Sequence, residues 1–291
     1  MLTHTLADGR TISYECHGDP NGTPIIFSHG LSDSRCIRHF DDAVAEDLGV
    51  YIIAVDQPGV GYSTAVPLKD RTLTNYARDI QHLVNAMGID KFTVAGHSGG
   101  GPHALAIAAY MPDRVTKCVL AAPAPPLTIP GMMDLFPVPM FHLIVRTCQW
   151  LSFLIYASCH VIALWANRDI YNYIQIIAKS DRTSGNPDTF LSNPQQTQIF
   201  YDNFQQGLLQ GGVGLQGMLK VAFIDRDWGF EWKVKHPVTI FVCEEDTVIT
   251  KDMLQLFCDR MPNATIKSWP NAGHYSFVDP EPWKNLLMEL R

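Results

Sequence analysis

Ser98 stands in Gly96-His97-Ser98-Gly99-Gly100, a Gly-x-Ser-x-Gly pattern. An apolar run precedes it (Phe92, Val94, Ala95) and an Ala-rich apolar run follows (Ala104 to Tyr110). A strand that feeds a helix through so tight a turn strains the serine backbone and lifts the hydroxyl clear of the sheet. Side chains two residues before or after the serine would collide in that turn, so Gly96 and Gly100 are needed there. The chemistry that such a serine can do is nucleophilic. A hydroxyl is a poor nucleophile at neutral pH, so it needs a base to take its proton and a third group to hold the base in one tautomer.

In strand-turn-helix sites of this kind the partners follow in the order serine, acid, histidine. The apolar run Val238 to Cys243 reads as a late strand, and Glu244-Glu245-Asp246 follows it. Asp246 falls on the turn and is the candidate acid, with Glu244 and Glu245 as competitors. The run Ala122 to Pro126, after an earlier strand, offers no carboxylate. The candidate base is His274, in Pro270-Asn271-Ala272-Gly273-His274 after the last strand. Backbone N–H groups must also face the oxygen that gains charge. Gly99, at the helix start, supplies one. Leu31, or alternatively Gly30, in Ser28-His29-Gly30-Leu31 supplies the other.

The elements that must position these residues can be read as alternating strands and helices. Strands are expected at Thr11 to Cys16, Pro24 to Ser28, Val50 to Val55, Phe92 to Ala95, Val115 to Ala121, Val238 to Cys243 and Thr265 to Trp269. A helix carries Leu73, Tyr76, Ala77, Ile80, Leu83, Val84 and Met87 on one face, with Thr72 as its cap and Gly88 as its stop. Further helices are expected at Lys251 to Arg260 and Glu281 to Leu290. Strands apolar on both faces and alternating with helices make a doubly wound, mostly parallel α/β sheet. The alternation breaks at the stiff Ala122-Pro123-Ala124-Pro125-Pro126. About a hundred aromatic-rich, helical residues then intervene before it resumes. We therefore divide the chain into a core of residues 1–122 and 233–291 and a helical cap inserted at 123–232.

The pieces together resemble an α/β-hydrolase: His29-Gly30, Asp56-Gln57-Pro58-Gly59-Val60-Gly61-Tyr62-Ser63, Gly96-His97-Ser98-Gly99-Gly100, Cys243-Glu244-Glu245-Asp246 and Gly273-His274 lie in the family's order and cover nearly the whole chain outside the cap. Cys243 departs from the glycine common at that place. Relatives with an aspartate nucleophile open epoxides or remove halides, and Ser98 argues against both. The resemblance implies hydrolysis of an ester, lactone or thioester through an acyl-enzyme, with no metal or organic cofactor. The same framework also hosts carbon–carbon bond cleavage, acyl transfer, macrocycle formation, lyase chemistry and slow-turnover ligand receptors, and these stay open.

Composition sets outer limits. A net charge of −7 over 291 residues offers no basic face for phosphates, which argues against nucleic acid. Seven cysteines, an odd number without a CxxC, read as reduced thiols, and Met1 to Arg10 lacks a basic start followed by an apolar core, so no secretory signal and a cytoplasmic enzyme are expected. Phe141 to Trp165 is apolar enough to test for a membrane span. Arg146, Gln149 and His160 lie within it, each costly in lipid, and buried or substrate-facing helices are the expectation. A cap of this composition should enclose a pocket for a small to medium hydrophobic substrate, lined by Met132, Phe136, Trp150, Phe153, Tyr156 and Trp165. His29, His97 and His103 read as structural, and Arg35 and Arg38 as ion-pair partners of Asp33, Asp41 or Asp42. The sequence is silent on oligomeric state.

Overall fold

The computed structural model describes residues 1–135, 152–180, 193–221, 228 and 233–291. Its centre is an eight-stranded sheet in the order β1-β2-β4-β3-β5-β6-β7-β8. The strands are β1 (Leu2–Thr5), β2 (Thr11–Gly18), β3 (Thr23–Ser28), β4 (Val50–Val55), β5 (Phe92–His97), β6 (Val115–Ala121), β7 (Val238–Cys243) and β8 (Ala264–Trp269). β1 and β2 pair antiparallel, β2 joins β4 antiparallel, and all other pairs are parallel. Central strands such as β5 and β7 are buried along their whole length, as a parallel sheet covered on both faces requires.

Helices cover both faces. α1 (Ala43–Asp47), α2 (Leu73–Ala86) and α3 (Gly101–Tyr110) precede the break. α4 (Ser152–Arg168), α5 (Ile170–Ser180), α6 (Pro194–Gly207) and α7 (Val213–Leu219) lie between β6 and β7. α8 (Lys251–Cys258) and α9 (Pro280–Leu290) complete the chain. One core layer joins Ile26, Ile53 and Val94 of the sheet to Ile80, Leu105 and Phe257 of α2, α3 and α8. On the other face Ile25, Phe27 and Ala95 pack with Ala45 of α1, Leu286 of α9 and Phe204 of α6. Neighbouring residues on β3 therefore serve opposite layers, as the two-residue side-chain period dictates.

α2 forms as its periodicity predicts. The Thr72 hydroxyl accepts from the Asn75 amide at 3.1 Å, and Gly88 takes a φ of +68° just past the end. Two elements differ from the sequence reading. β1 is short, polar and mostly exposed, and only its pairing with β2 from Leu2↔Tyr14 to Thr5↔Thr11 makes it a strand. α1 is five residues long, too short to show a period.

The parallel register brings the carboxyl ends of the strands to one edge. Ser28 stands opposite Val55 and Gly96, His97 opposite Ala121, and Cys243 opposite Trp269. The loops after β3, β5, β7 and β8 leave from that edge, where ligands bind in open α/β sheets. α6 crosses above it. Asn193 caps this helix by accepting from the amides of Gln195 and Gln196, and its buried side turns Gln196, Phe200, Asn203, Phe204 and Gly207 inward. Phe204 is fully buried and meets the ring of Tyr275 at 6.1 Å.

Truncating Phe204 should therefore leave a cavity between α6 and the sheet. Phe204→Ala is expected to lower stability by about 3–5 kcal/mol. In urea denaturation this is read as a fall in the midpoint at an unchanged slope.

Candidate active site

The turn at Ser98 is built by close backbone approach. Ser98 takes a φ of +50°, a left-handed conformation that an L-residue adopts only under constraint. A methyl group on Gly96 would sit 2.4 Å from the Gly100 carbonyl oxygen, and one on Gly100 would sit 2.0 Å from that of Ser28. Neither position accepts a side chain. The exit from β6 holds the turn from the far side: Ala122 is also left-handed (φ +41°), and the Ala124 amide donates to the Ser98 carbonyl at 2.8 Å.

The structure brings Ser98, His274 and Asp246 together, 176 residues separating the first two. The Ser98 hydroxyl donates to His274 Nε2 at 2.9 Å, and His274 Nδ1–H donates to Asp246 Oδ2 at 2.6 Å. An ionised carboxylate only accepts, so this contact places the ring proton on Nδ1 and leaves the Nε2 lone pair facing the hydroxyl. Asp246 is fixed in turn: its Oδ1 accepts from the amides of Val248 (2.7 Å) and Ile249 (2.9 Å). Glu244 and Glu245 are exposed, and Glu244 pairs with Lys251. Of the three acidic candidates only Asp246 is turned inward.

The amide side of the site lies on the loop after β3. A methyl group on Gly99 would fall 3.5 Å from the Leu31 nitrogen, so these two amides share one small region. Among the described residues neither donates to another acceptor. Gly30 is crowded instead: a methyl group there would meet Asp33 Oδ2 at 2.8 Å and His97 Nδ1 and Ser98 Cβ at 3.1 Å. His29 braces the loop. It accepts from the Gln57 amide on Nε2 at 3.1 Å and donates from Nδ1 to the Gly30 carbonyl at 3.0 Å, while the Gln57 side chain donates to the His29 carbonyl at 2.8 Å. His103 Nδ1–H donates to the Gly99 carbonyl at 2.9 Å. Among the described residues no group of three or more His, Cys, Asp or Glu side chains is placed to hold a metal ion.

The expected pocket lining fares differently. Met132 is fully buried in the core layer under α8, not at the mouth of the site. Phe153 and Trp165 point outward, 64% and 42% exposed. Their helix turns its small residues Cys159, Ala163 and Ala166 inward, which leaves the bulky positions facing out. Of the run expected to form buried or substrate-facing helices, the described part from Ser152 on buries Cys159 and Ala163 and exposes Phe153, Leu154 and Trp165, and among the described residues no helix is long and apolar enough to cross a membrane. Tyr156 is half-buried and its carbonyl accepts from Gln216. Phe136 and Trp150 lie outside the described residues.

Arg38 pairs with Asp42 at 2.9 Å as expected, but Arg35 does not use its neighbours. Its guanidinium donates to Asp56 at 2.7 Å and Glu15 at 3.0 Å. The pair with Asp56 is buried, so its value lies in fixing the loops after β3 and β4 more than in net stability. Nothing in the local sequence signals a partner 21 residues away. The same holds for Asn203 of α6, whose Oδ1 accepts from the Ser34 amide at 2.8 Å, and for Tyr173 of α5, which donates to the Ser32 hydroxyl at 3.0 Å.

A family model described as alpha/beta hydrolase fold matches residues 23–281. A non-heme chloroperoxidase from Streptomyces lividans is 34% identical over 132 residues, which is 44% of this chain and 47% of the relative. A proline iminopeptidase from Xylella fastidiosa is 35% identical over 117 residues, 39% of this chain and 36% of the relative. The match thus spans less than half the length of these curated relatives. Among solved structures, an esterase from Exiguobacterium antarcticum superposes with a TM-score of 0.69 at 21% identity, over 98% of this chain and 97% of its own.

Two buried histidines outside the relay oppose protonation in the folded chain. Burial holds His29 and His103 below the ordinary imidazole range, His103 down to about 3. The unfolded chain binds protons near pH 6.5 and the folded chain resists them, so their contribution is complete above about 6.5 and is lost as pH falls toward 3. His17 runs the other way, because Asp42 and Glu15 outweigh its burial and raise it. The two outnumber it, so urea midpoints are expected to fall steadily from pH 7 to pH 4. His103→Gln is expected to flatten that slope.

Proposed function

The chain belongs to the α/β-hydrolase fold family, and from that membership we propose that it is a serine hydrolase cleaving a small to medium hydrophobic ester, lactone or thioester. The observation that carries the reading is the linear relay from Ser98 through His274 to Asp246, at 2.9 and 2.6 Å. It ends at a serine beside the amides of Gly99 and Leu31, which have no other acceptor among the described residues. In this reading Ser98 Oγ bonds to the substrate carbonyl carbon as its proton passes to His274 Nε2. The oxygen that gains charge lies between the amides of Gly99 and Leu31. Such a donor is worth roughly 3–4 kcal/mol in the transition state.

The carbonyl–leaving-group bond then breaks, and the proton on Nε2 goes to the departing alcohol, or to the thiol from a thioester. A water deprotonated by His274 attacks the acyl-enzyme, releases the acid and restores Ser98. Asp246 keeps accepting from His274 Nδ1–H and stabilises the imidazolium that forms at each step. We assign α4 to α7 the role of a cap. Two contacts support this: Gly207 of α6 packs so tightly on the loop after β3 that a methyl group would sit 1.9 Å from the Ser32 carbonyl oxygen, and Phe200 and Phe204 pack on Tyr275, next to His274.

The two curated relatives named above carry a peroxidase and a peptidase name, so the acyl group and its acceptor are to be settled by assay. Turnover of a p-nitrophenyl butyrate-type ester is expected to fall by about 10³-fold or more in Ser98→Ala and by about 10⁴-fold in Asp246→Asn, with circular dichroism unchanged. In the unsubstituted protein, kcat/KM is expected to decline on the acid side as a single protonation, that of His274. Ester activity undiminished in Ser98→Ala would remove the reading. Faster turnover of a prolyl amide than of any ester or lactone would replace it with a peptidase.

A further inference from the structure

Behind the relay lies a second carboxylate and imidazole, both fully buried. Asp33 follows the Gly30-Leu31 turn, and His97 directly precedes Ser98. Asp33 Oδ2 and His97 Nδ1 face each other at 3.6 Å, and neither has a hydrogen-bond partner. All other contacts of the pair are made. Asp33 Oδ1 accepts from Asn203 Nδ2 at 2.8 Å and from the Tyr275 hydroxyl at 3.4 Å. His97 Nε2 lies 3.0 Å from the backbone carbonyl of His274, and the ring stacks on Phe277 at 4.0 Å.

The tautomer follows from these contacts. A carbonyl only accepts, so the 3.0 Å contact to His274 requires a proton on His97 Nε2. In a neutral ring Nδ1 then carries a lone pair, and that lone pair would point at a carboxylate oxygen. Two facing acceptors, both shut away from water, are costly. One added proton removes the conflict. A proton between Oδ2 and Nδ1 satisfies both atoms and leaves the pair neutral overall. Burial of the His97 ring works against a lone imidazolium while Asp33 works for it, so the proton is placed between the two orphaned atoms and shared by the pair. The other titratable side chains near the pair are His274, whose ring lies 4.9 Å from that of His97, His29, Tyr275 and Tyr173. None of them donates to the two orphaned atoms.

We propose that Asp33 and His97 are positioning residues that share one proton and lock three loops into one register: the amide-bearing loop through Asp33, the nucleophile turn through His97, and the His274 loop through its own backbone carbonyl. Asn203 extends the lock to α6. The role rests on the hydrolase reading above, since it acts by holding His274 and the amides in place around Ser98. It is distinct from that reading because neither side chain touches substrate.

The test compares a variant that replaces the shared proton with variants that delete it. In Asp33→Asn the amide oxygen keeps the Asn203 contact and the amide N–H can donate to Nδ1, so no added proton is needed. Its kcat is expected within about 3-fold of the unsubstituted enzyme. Asp33→Leu and His97→Phe are expected to lose about 10- to 100-fold in kcat with KM within about 2-fold, the size expected when reacting groups drift by a fraction of an ångström. Nitrogen-15 NMR of the histidine rings in Ser98→Ala protein reads the pair without any turnover. The expected His97 Nδ1 signal is that of a hydrogen-bonded nitrogen. Unchanged kcat in Asp33→Leu or His97→Phe, an Asp33→Asn as impaired as Asp33→Leu, or a bare Nδ1 would each overturn the proposal. If the deletion variants do not fold, Asp33→Asn and the NMR spectrum decide. Failure of the hydrolase reading shows separately, as ester turnover that survives Ser98→Ala.

Discussion

Everything at this site depends on one strained backbone reversal. Ser98 holds a left-handed conformation between β5 and α3, and strain of this kind persists only where the surroundings over-determine it. The surroundings do so by steric contact. The carbonyls of Ser28 and Gly100 leave no space for side chains at Gly100 and Gly96, and the Ala124 amide holds the Ser98 carbonyl. A relaxed turn would lay the hydroxyl back against the sheet, out of reach of His274 Nε2.

Sheet topology supplies the rest of the geometry. Parallel strands end at one edge, so loops far apart in the chain emerge side by side there. The loop after β3 brings amides, the loop after β7 a carboxylate and the loop after β8 an imidazole. Each group is then fixed by contacts of its own: Asp246 by two backbone amides, the amide loop by His29 and Gln57, and the His274 loop by the His97 ring. In the proposed reaction, groups fixed in this way stabilise developing charge without reorganising at the moment of reaction.

What the sequence disclosed and what it withheld follow from range. Ser98, Asp246 and His274 were legible because each sits in a local pattern with a mechanism: a glycine-flanked turn, a carboxylate just past a strand, a Gly-His on a late loop. The strands and α2 were legible through periodicity and caps. Contacts without local signature were not. Asp33 with His97, Arg35 with Asp56, and Asn203 with the Ser34 amide join residues that no spacing rule connects. The inserted helices were read as helical, but not which side faces in. α4 turns its small residues to the core and its bulky ones outward, a choice of face that its uniformly apolar composition does not signal.

The claim beneath all of this is that Ser98 is chemically activated where it stands. A fluorophosphonate probe, which modifies serines only when a base and amide donors make them nucleophilic, tests that claim with no knowledge of the substrate. Treating the native protein and mapping the labelled peptide should find stoichiometric modification at Ser98, lost on prior unfolding. Labelling elsewhere in the chain, or none at Ser98 in the folded protein, would contradict it.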